Sequence, residues 1–104
     1  MIAVIFEVEA KPGKDRDYFD LAAKLRTDLE KVDGFISVER FKSLTNDGKY
    51  VSLSFWRDED AVGRWRGQAE HRLAQKRGKK EIFADFRIRV ATVIRDYTLA
   101  DRED

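Results

Sequence analysis

From Ile2 to Ala10 the residues Ile2, Val4, Phe6 and Val8 alternate with Ala3, Ile5, Glu7 and Glu9, and beyond Asp15 the apolar period changes from two to three and four. A period of two is that of a strand with one face buried, whereas spacings of three and four belong to one stripe of a helix. "KPGK" stops the strand. Tyr18, Leu21, Ala22, Leu25, Leu29 and Val32 then form an apolar stripe, with Lys24, Asp28 and Lys31 between them. The stripe ends at Asp33 and Gly34, where glycine is expected to supply a left-handed cap to the helix.

Two β-rich runs follow, Phe35 to Leu44 and Lys49 to Trp56, joined by "TNDG". Asn, Asp and Gly tolerate the positive φ of a tight turn, so the runs are expected to pair antiparallel as a hairpin. Asp58 is placed to cap a second helical region, with Glu59 and Asp60 at the positive end of its dipole. Gly63, Gly67 and Gly78 predict that this region breaks into a short helix and another from about Gln68 to Arg77. Phe83 to Tyr97 reads as a long closing strand, and residues 98–104 as a fraying polar tail. The order β-α-β-β-α-β is the split βαβ plan of an α+β domain: a four-stranded antiparallel sheet with helices on one face. Val51, Leu53 and Phe55 alternate with Tyr50 and Trp56, so both faces carry apolar residues. A homodimer through the open sheet face is the economical way to cover the second one.

At 104 residues the chain fits one domain, with a core over about residues 2–97. Charged residues make up 39%, but 21 Lys and Arg against 20 Asp and Glu leave a net charge of +1. Neither nucleic acid nor an anionic membrane is the expected partner, since both call for a one-signed excess. Cysteine is absent, which removes disulfides, thiolate nucleophiles and thiolate-bound metals. The first apolar run has no basic segment before it and reaches an acid at Glu7, so it reads as a strand and not a signal peptide. No run approaches the ~20 apolar residues of a membrane-spanning helix, and a cytoplasmic protein is the expectation.

Four segments carry a resemblance. "GFISVERF" leads into the second strand, "FWRDEDAVGRWR…AEH" runs from strand into helix, and "IFEVEAKPGK" and "IFADFRIRVATVIRDY" open and close the domain. Together they resemble the antibiotic biosynthesis monooxygenase family from Ile2 to about Tyr97. The resemblance implies a ferredoxin-like fold and a dimeric α+β barrel. It further implies a cofactor-independent oxidation of a small aromatic or quinol-type molecule by O2, although the family also holds haem-degrading enzymes and members without known activity. Trp65 occupies the tryptophan position of catalytic members. A haem-degrading branch has asparagine and histidine where this chain has Phe6 and Gln75. Neither residue can replace them, since Gln75 brings no imidazole to iron and Phe6 donates no hydrogen bond. Haem is therefore not the expected ligand, and no cofactor or metal is assigned.

The chemistry available is limited. His71 is the one imidazole, with an ordinary pKa of ~6.5, suited to ionise a phenol or hydroquinone so that the anion can pass an electron to O2. It is equally suited to an exposed helix position. Trp65 and Trp56 can stack on a flat substrate or simply fill the core, and Tyr50 and Tyr97 can bind a phenolic oxygen or close the barrel edge. Phe6 and Gln75 complete the expected substrate pocket. Arg87, Arg89 and Arg95 can bind an anion or pair with Glu7 and Glu9 on the first strand. "KRGKK", Lys76 to Lys80, reads as a solvated loop. A non-catalytic dimeric binding or stress-associated module is the alternative to an oxygenase.

Overall fold

The computed structural model describes the backbone of residues 1–75 and 81–102 and the side chains of residues 1–71 and 81–102. Its elements are β1 (Ile2–Ala10), α1 (Asp15–Leu29), β2 (Phe35–Lys42), β3 (Lys49–Trp56), α2 (Glu59–Gln75), β4 (Phe83–Thr92) and a terminal turn of helix, α3 (Leu99–Arg102). The four strands are antiparallel in the order β2-β3-β1-β4, with α1 and α2 on one face. This is the α+β, ferredoxin-like arrangement expected from the sequence.

Residues opposite one another on antiparallel strands share a face. Ile2, Val4, Phe6 and Val8 therefore face the helices together with their β3 partners Trp56, Ser54, Ser52 and Tyr50. On the open face Ile5 pairs with Leu53, and Glu7 with Val51. The core on the helix side forms two clusters. One joins Ile2, Val4, Leu29, Val32, Trp56, Ala61 and Val62; the other joins Val8, Tyr18, Leu21, Tyr50 and Phe83.

Four expectations need correction. The second helical region is one helix through Gly63 and Gly67, because both glycines lie on its exposed side while Ala61, Val62 and Ala69 bury the other. Each glycine costs about 1 kcal/mol, less than burial of that face returns. Asp58 caps this helix as read, its Oδ1 accepting the Ala61 N–H at 2.9 Å. Gly34 has the expected positive φ of +97° but does not cap α1, which ends at Leu29. Tight turns carry the chain on, with the Val32 N–H donating to the Leu29 carbonyl and the Phe35 N–H to that of Val32. β4 stops at Thr92 and not Tyr97, since β1 begins at Ile2 and offers no further ladder beyond the bond from Val93 N–H to the Met1 carbonyl. The tail does not simply fray: Asp101 accepts hydrogen bonds from the Thr98 N–H and hydroxyl across the turn of α3. In the hairpin, Gly48 takes φ +76°, as the turn composition predicts, and Ser43 Oγ accepts the Asn46 N–H at 3.0 Å.

Candidate functional site

The helix-facing residues of β3 run large, small, small, large: Tyr50, Ser52, Ser54, Trp56. The two outer aromatics fill the space beneath α1 and α2, and the serines between them do not. A cavity of about 240 Å³ lies over the serines, between the two core clusters. Val4 and Phe6 of β1, Leu21 and Leu25 of α1, Trp65 and Ala69 of α2, and Phe83 and Ile88 of β4 make its walls mainly apolar. Arg26, Arg66 and Glu70 are exposed residues along its border.

Polar groups are few within it. Ser54 Oγ accepts the indole hydrogen of Trp56 at 2.9 Å. Arg40, on β2 and in register with Ser52, brings its guanidinium to 5.7 Å from the ring centroids of both Tyr18 and Phe19. Burial pushes the Tyr18 hydroxyl above its ordinary pKa, partly offset by the positive charge of Arg40. Arg40 Nη1 and Trp65 Nε1 are both buried without a hydrogen-bond acceptor.

Two of the residues expected at the site, Trp65 and Phe6, line this cavity. Phe6 meets Phe83 and Phe86 edge to face, at 6.0 and 5.9 Å. Trp56 is completely buried behind the wall, its ring 5.6 Å from that of Trp65, and acts as the support of that wall. Tyr50 also lies outside the lining residues, with its hydroxyl donating to Asp15 of α1. His71 is exposed on α2 and is not among the lining residues, whereas its neighbour Glu70 is. The Gln75 side chain and Lys76 to Lys80 lie outside the described residues. Tyr97 is exposed beyond β4 beneath the Arg102 guanidinium, 4.8 Å from its ring centroid. Arg89 pairs with Glu7 on the open sheet face at 3.2 Å, as the charges of the two strands suggest. Among the described residues no group of three His, Cys, Asp or Glu side chains is placed to hold a metal, and no helix is long and apolar enough to cross a membrane.

Arg40, Tyr18, Ser52 and Ser54 were not expected at the site. The signal was present in the β3 alternation, where two serines sit between large aromatics on the face that must be buried. Arg40 follows Val38 at a spacing of two and so shares its inward face.

Residues 1–77 match the antibiotic biosynthesis monooxygenase family. A protein of Pyricularia oryzae named jasmonate monooxygenase ABM is 44% identical over 93 residues, covering 89% of this chain, and the chain spans only 43% of that relative's length. Among solved structures, Rv0793 from Mycobacterium tuberculosis superposes with a TM-score of 0.78 at 20% identity, over 93% of this chain and 98% of that one. SnoaB from Streptomyces nogalater, described as a cofactor-independent oxygenase, gives a TM-score of 0.76 at 16% identity, over 94% and 95%. These two share the fold, and the sequence match over most of its length means that the chain belongs to the antibiotic biosynthesis monooxygenase family.

Proposed function

We propose that this domain is a monooxygenase that holds a small ring compound, of aromatic or quinol type, in the cavity beneath Trp65 and oxidises it with O2 without a bound cofactor. The observation that carries the reading is the apolar cavity of about 240 Å³ between sheet and helices. It lies a little below the roughly 300–1,000 Å³ of sites for drug-sized ligands, a size suited to a molecule of one to three rings. The jasmonate monooxygenase relative and the family membership support the reaction class.

In such a reaction the substrate itself is the reductant. Removal of a proton from a phenol, a hydroquinone or a methylene between aromatic rings gives an electron-rich anion that can reduce O2. A methylene then becomes a carbonyl, with one oxygen atom retained and the other released as water. Apolar walls exclude bulk water from the reactive anion. The proton acceptor in this proposal stands at the cavity border, where Glu70 lines the wall and His71 follows it on α2.

A non-catalytic binding module remains a second reading, favoured by the exposed position of the one histidine. Oxygen uptake by the purified protein against anthrones, naphthols, hydroquinones and jasmonate separates the two. Uptake that falls at least tenfold in Trp65→Phe, with His71→Ala and Glu70→Gln assigning the proton acceptor, supports the oxygenase. Binding of these compounds without uptake supports the module. The proposal also includes a homodimer through the open sheet face, where Ile5, Val51, Leu53 and Phe55 are only half-buried in the single chain.

A further inference from the structure

The cavity's polar groups are unequal in kind. Arg40 Nη1 and Trp65 Nε1 are buried donors without acceptors, placed on β2 and on α2. Ser54 Oγ already accepts from Trp56, which leaves its hydroxyl hydrogen to donate. Among the described residues no carboxylate forms an ion pair with the Arg40 guanidinium. The carboxylates among the lining residues, Glu39 and Glu70, are both exposed, and Glu39 alternates to the other face of β2, in register with Leu53.

Arg40 is half-buried, and its one buried donor, Nη1, is costly to the empty fold unless water or a ligand completes it. Its surroundings define what completes it best. The rings of Tyr18 and Phe19 flank the guanidinium and hold it in place. Across the sheet at the same level come Ser52, Phe6 and Ile88, so an apolar body has its place beside the charge. An ammonium or amide-donor ligand would meet donors on β2 and α2 alike. A planar anion meets them with acceptors, and a guanidinium fork matches a carboxylate in shape.

Taking the cavity as the substrate site, we propose that the substrate is a compact apolar carboxylate whose carboxylate binds Arg40 and whose second oxygen, a carbonyl or hydroxyl, accepts from Trp65. Arg40 acts here as the specificity-determining residue, and Trp65 fixes the ring relative to it.

The test uses the full chain and two isosteric probes, 2-naphthylacetate and 2-naphthylacetamide, with affinities measured by calorimetry. The wild type is expected to bind the carboxylate about 10- to 100-fold more tightly than the amide, the range for a hydrogen bond to a charged group. Arg40→Met is expected to abolish that preference while amide affinity stays within about twofold. Arg40→Lys is expected to keep part of it, since the charge remains without the fork, and serves in place of Arg40→Met should the latter fail to fold. Arg16→Met, an exposed site on α1 away from the cavity, is expected to change nothing and so controls for net charge. Equal affinity of the wild type for both probes overturns the carboxylate assignment and leaves the cavity as a binding site. A preference that survives in the Arg40 variants also overturns the assignment. No binding of either probe overturns both the assignment and the reading of the cavity as the substrate site.

Discussion

Trp56 donates its indole hydrogen to the Ser54 hydroxyl, 2.9 Å away and two residues earlier on the same face of β3. Both residues are buried, Trp56 completely. The small residue thus does two things: it satisfies the tryptophan that backs the cavity wall, and it leaves the space that becomes the cavity.

Ser54→Ala leaves Trp56 Nε1 buried without an acceptor and is expected to destabilise the fold by about 1–3 kcal/mol. Ser54→Thr, which keeps a hydroxyl, is expected to recover most of this loss. Urea unfolding of the variants measures the difference. A change below a few tenths of a kcal/mol in Ser54→Ala would show that the bond contributes nothing net.

Tyr50 closes the other end of the same strand face. Its hydroxyl donates to the Asp15 carboxylate, and that bond, with burial and the negative charge of Asp15 behind it, pushes the Tyr50 pKa from 10.0 up to about 12. The fold therefore favours the neutral phenol. Its contribution to stability is complete below pH 10 and is lost as the pH rises from 10 towards about 12. Ultraviolet titration of the tyrosines is expected to show Tyr18 and Tyr50 titrating late in the wild type, and Asp15→Asn is expected to bring one of these two groups back towards the ordinary value. An unchanged titration in that variant would remove Asp15 as the cause.

Leu53 sits on the open face in register with Ile5 of β1 and Glu39 of β2. Leu53→Glu places a charge in the middle of the surface proposed to meet a second copy of the chain, where it would be desolvated without a partner. Light scattering is expected to find the wild type dimeric and this variant monomeric with an unchanged far-ultraviolet spectrum. A monomeric wild type, or a variant that dimerises as tightly, rejects this face as the interface.

The elements that sequence pattern reveals best are those whose partners lie on both sides. β1 is legible because Ile2, Val4, Phe6 and Val8 repeat at a spacing of two toward the helices, β3 because Val51, Leu53 and Phe55 repeat at that spacing between Tyr50 and Trp56, and α1 because Tyr18, Leu21 and Leu29 bury one side only. The limits of α2 and β4 were less legible for opposite reasons. Gly63 and Gly67 weaken α2 locally, but the buried side of the helix outweighs them. Val93 and Ile94 have strand propensity, yet β1 supplies no backbone to pair with them beyond Met1. For the site, a large aromatic such as Trp65 stands out in a sequence. Arg40 does not, since one charged residue in a strand looks like solvent-facing chemistry until the register shows which way it points. A cavity made by two serines is legible only once both of the flanking aromatics are known to face inward.

The glycines give the same substitution with opposite expected signs. Gly34 has φ +97°, and a Cβ added there would stand 2.7 Å from the Cβ of Ala61, where the turn before β2 packs against the start of α2. The Gly34 carbonyl also accepts the Arg57 N–H at 2.7 Å, so the turn cannot easily move away. Gly34→Ala is expected to cost at least about 1–2 kcal/mol from the left-handed backbone alone, with the clash in addition. Gly63 and Gly67 are helical and exposed, and an added Cβ meets nothing within 4 Å at either position. Alanine at either is expected to stabilise the protein by about 0.5–1 kcal/mol, by restricting the unfolded chain and favouring the helix. Urea unfolding of the three variants measures both signs together. A destabilising Gly63→Ala or Gly67→Ala would mean that the outer side of α2 is covered in solution, and would point to a second contact surface on that helix.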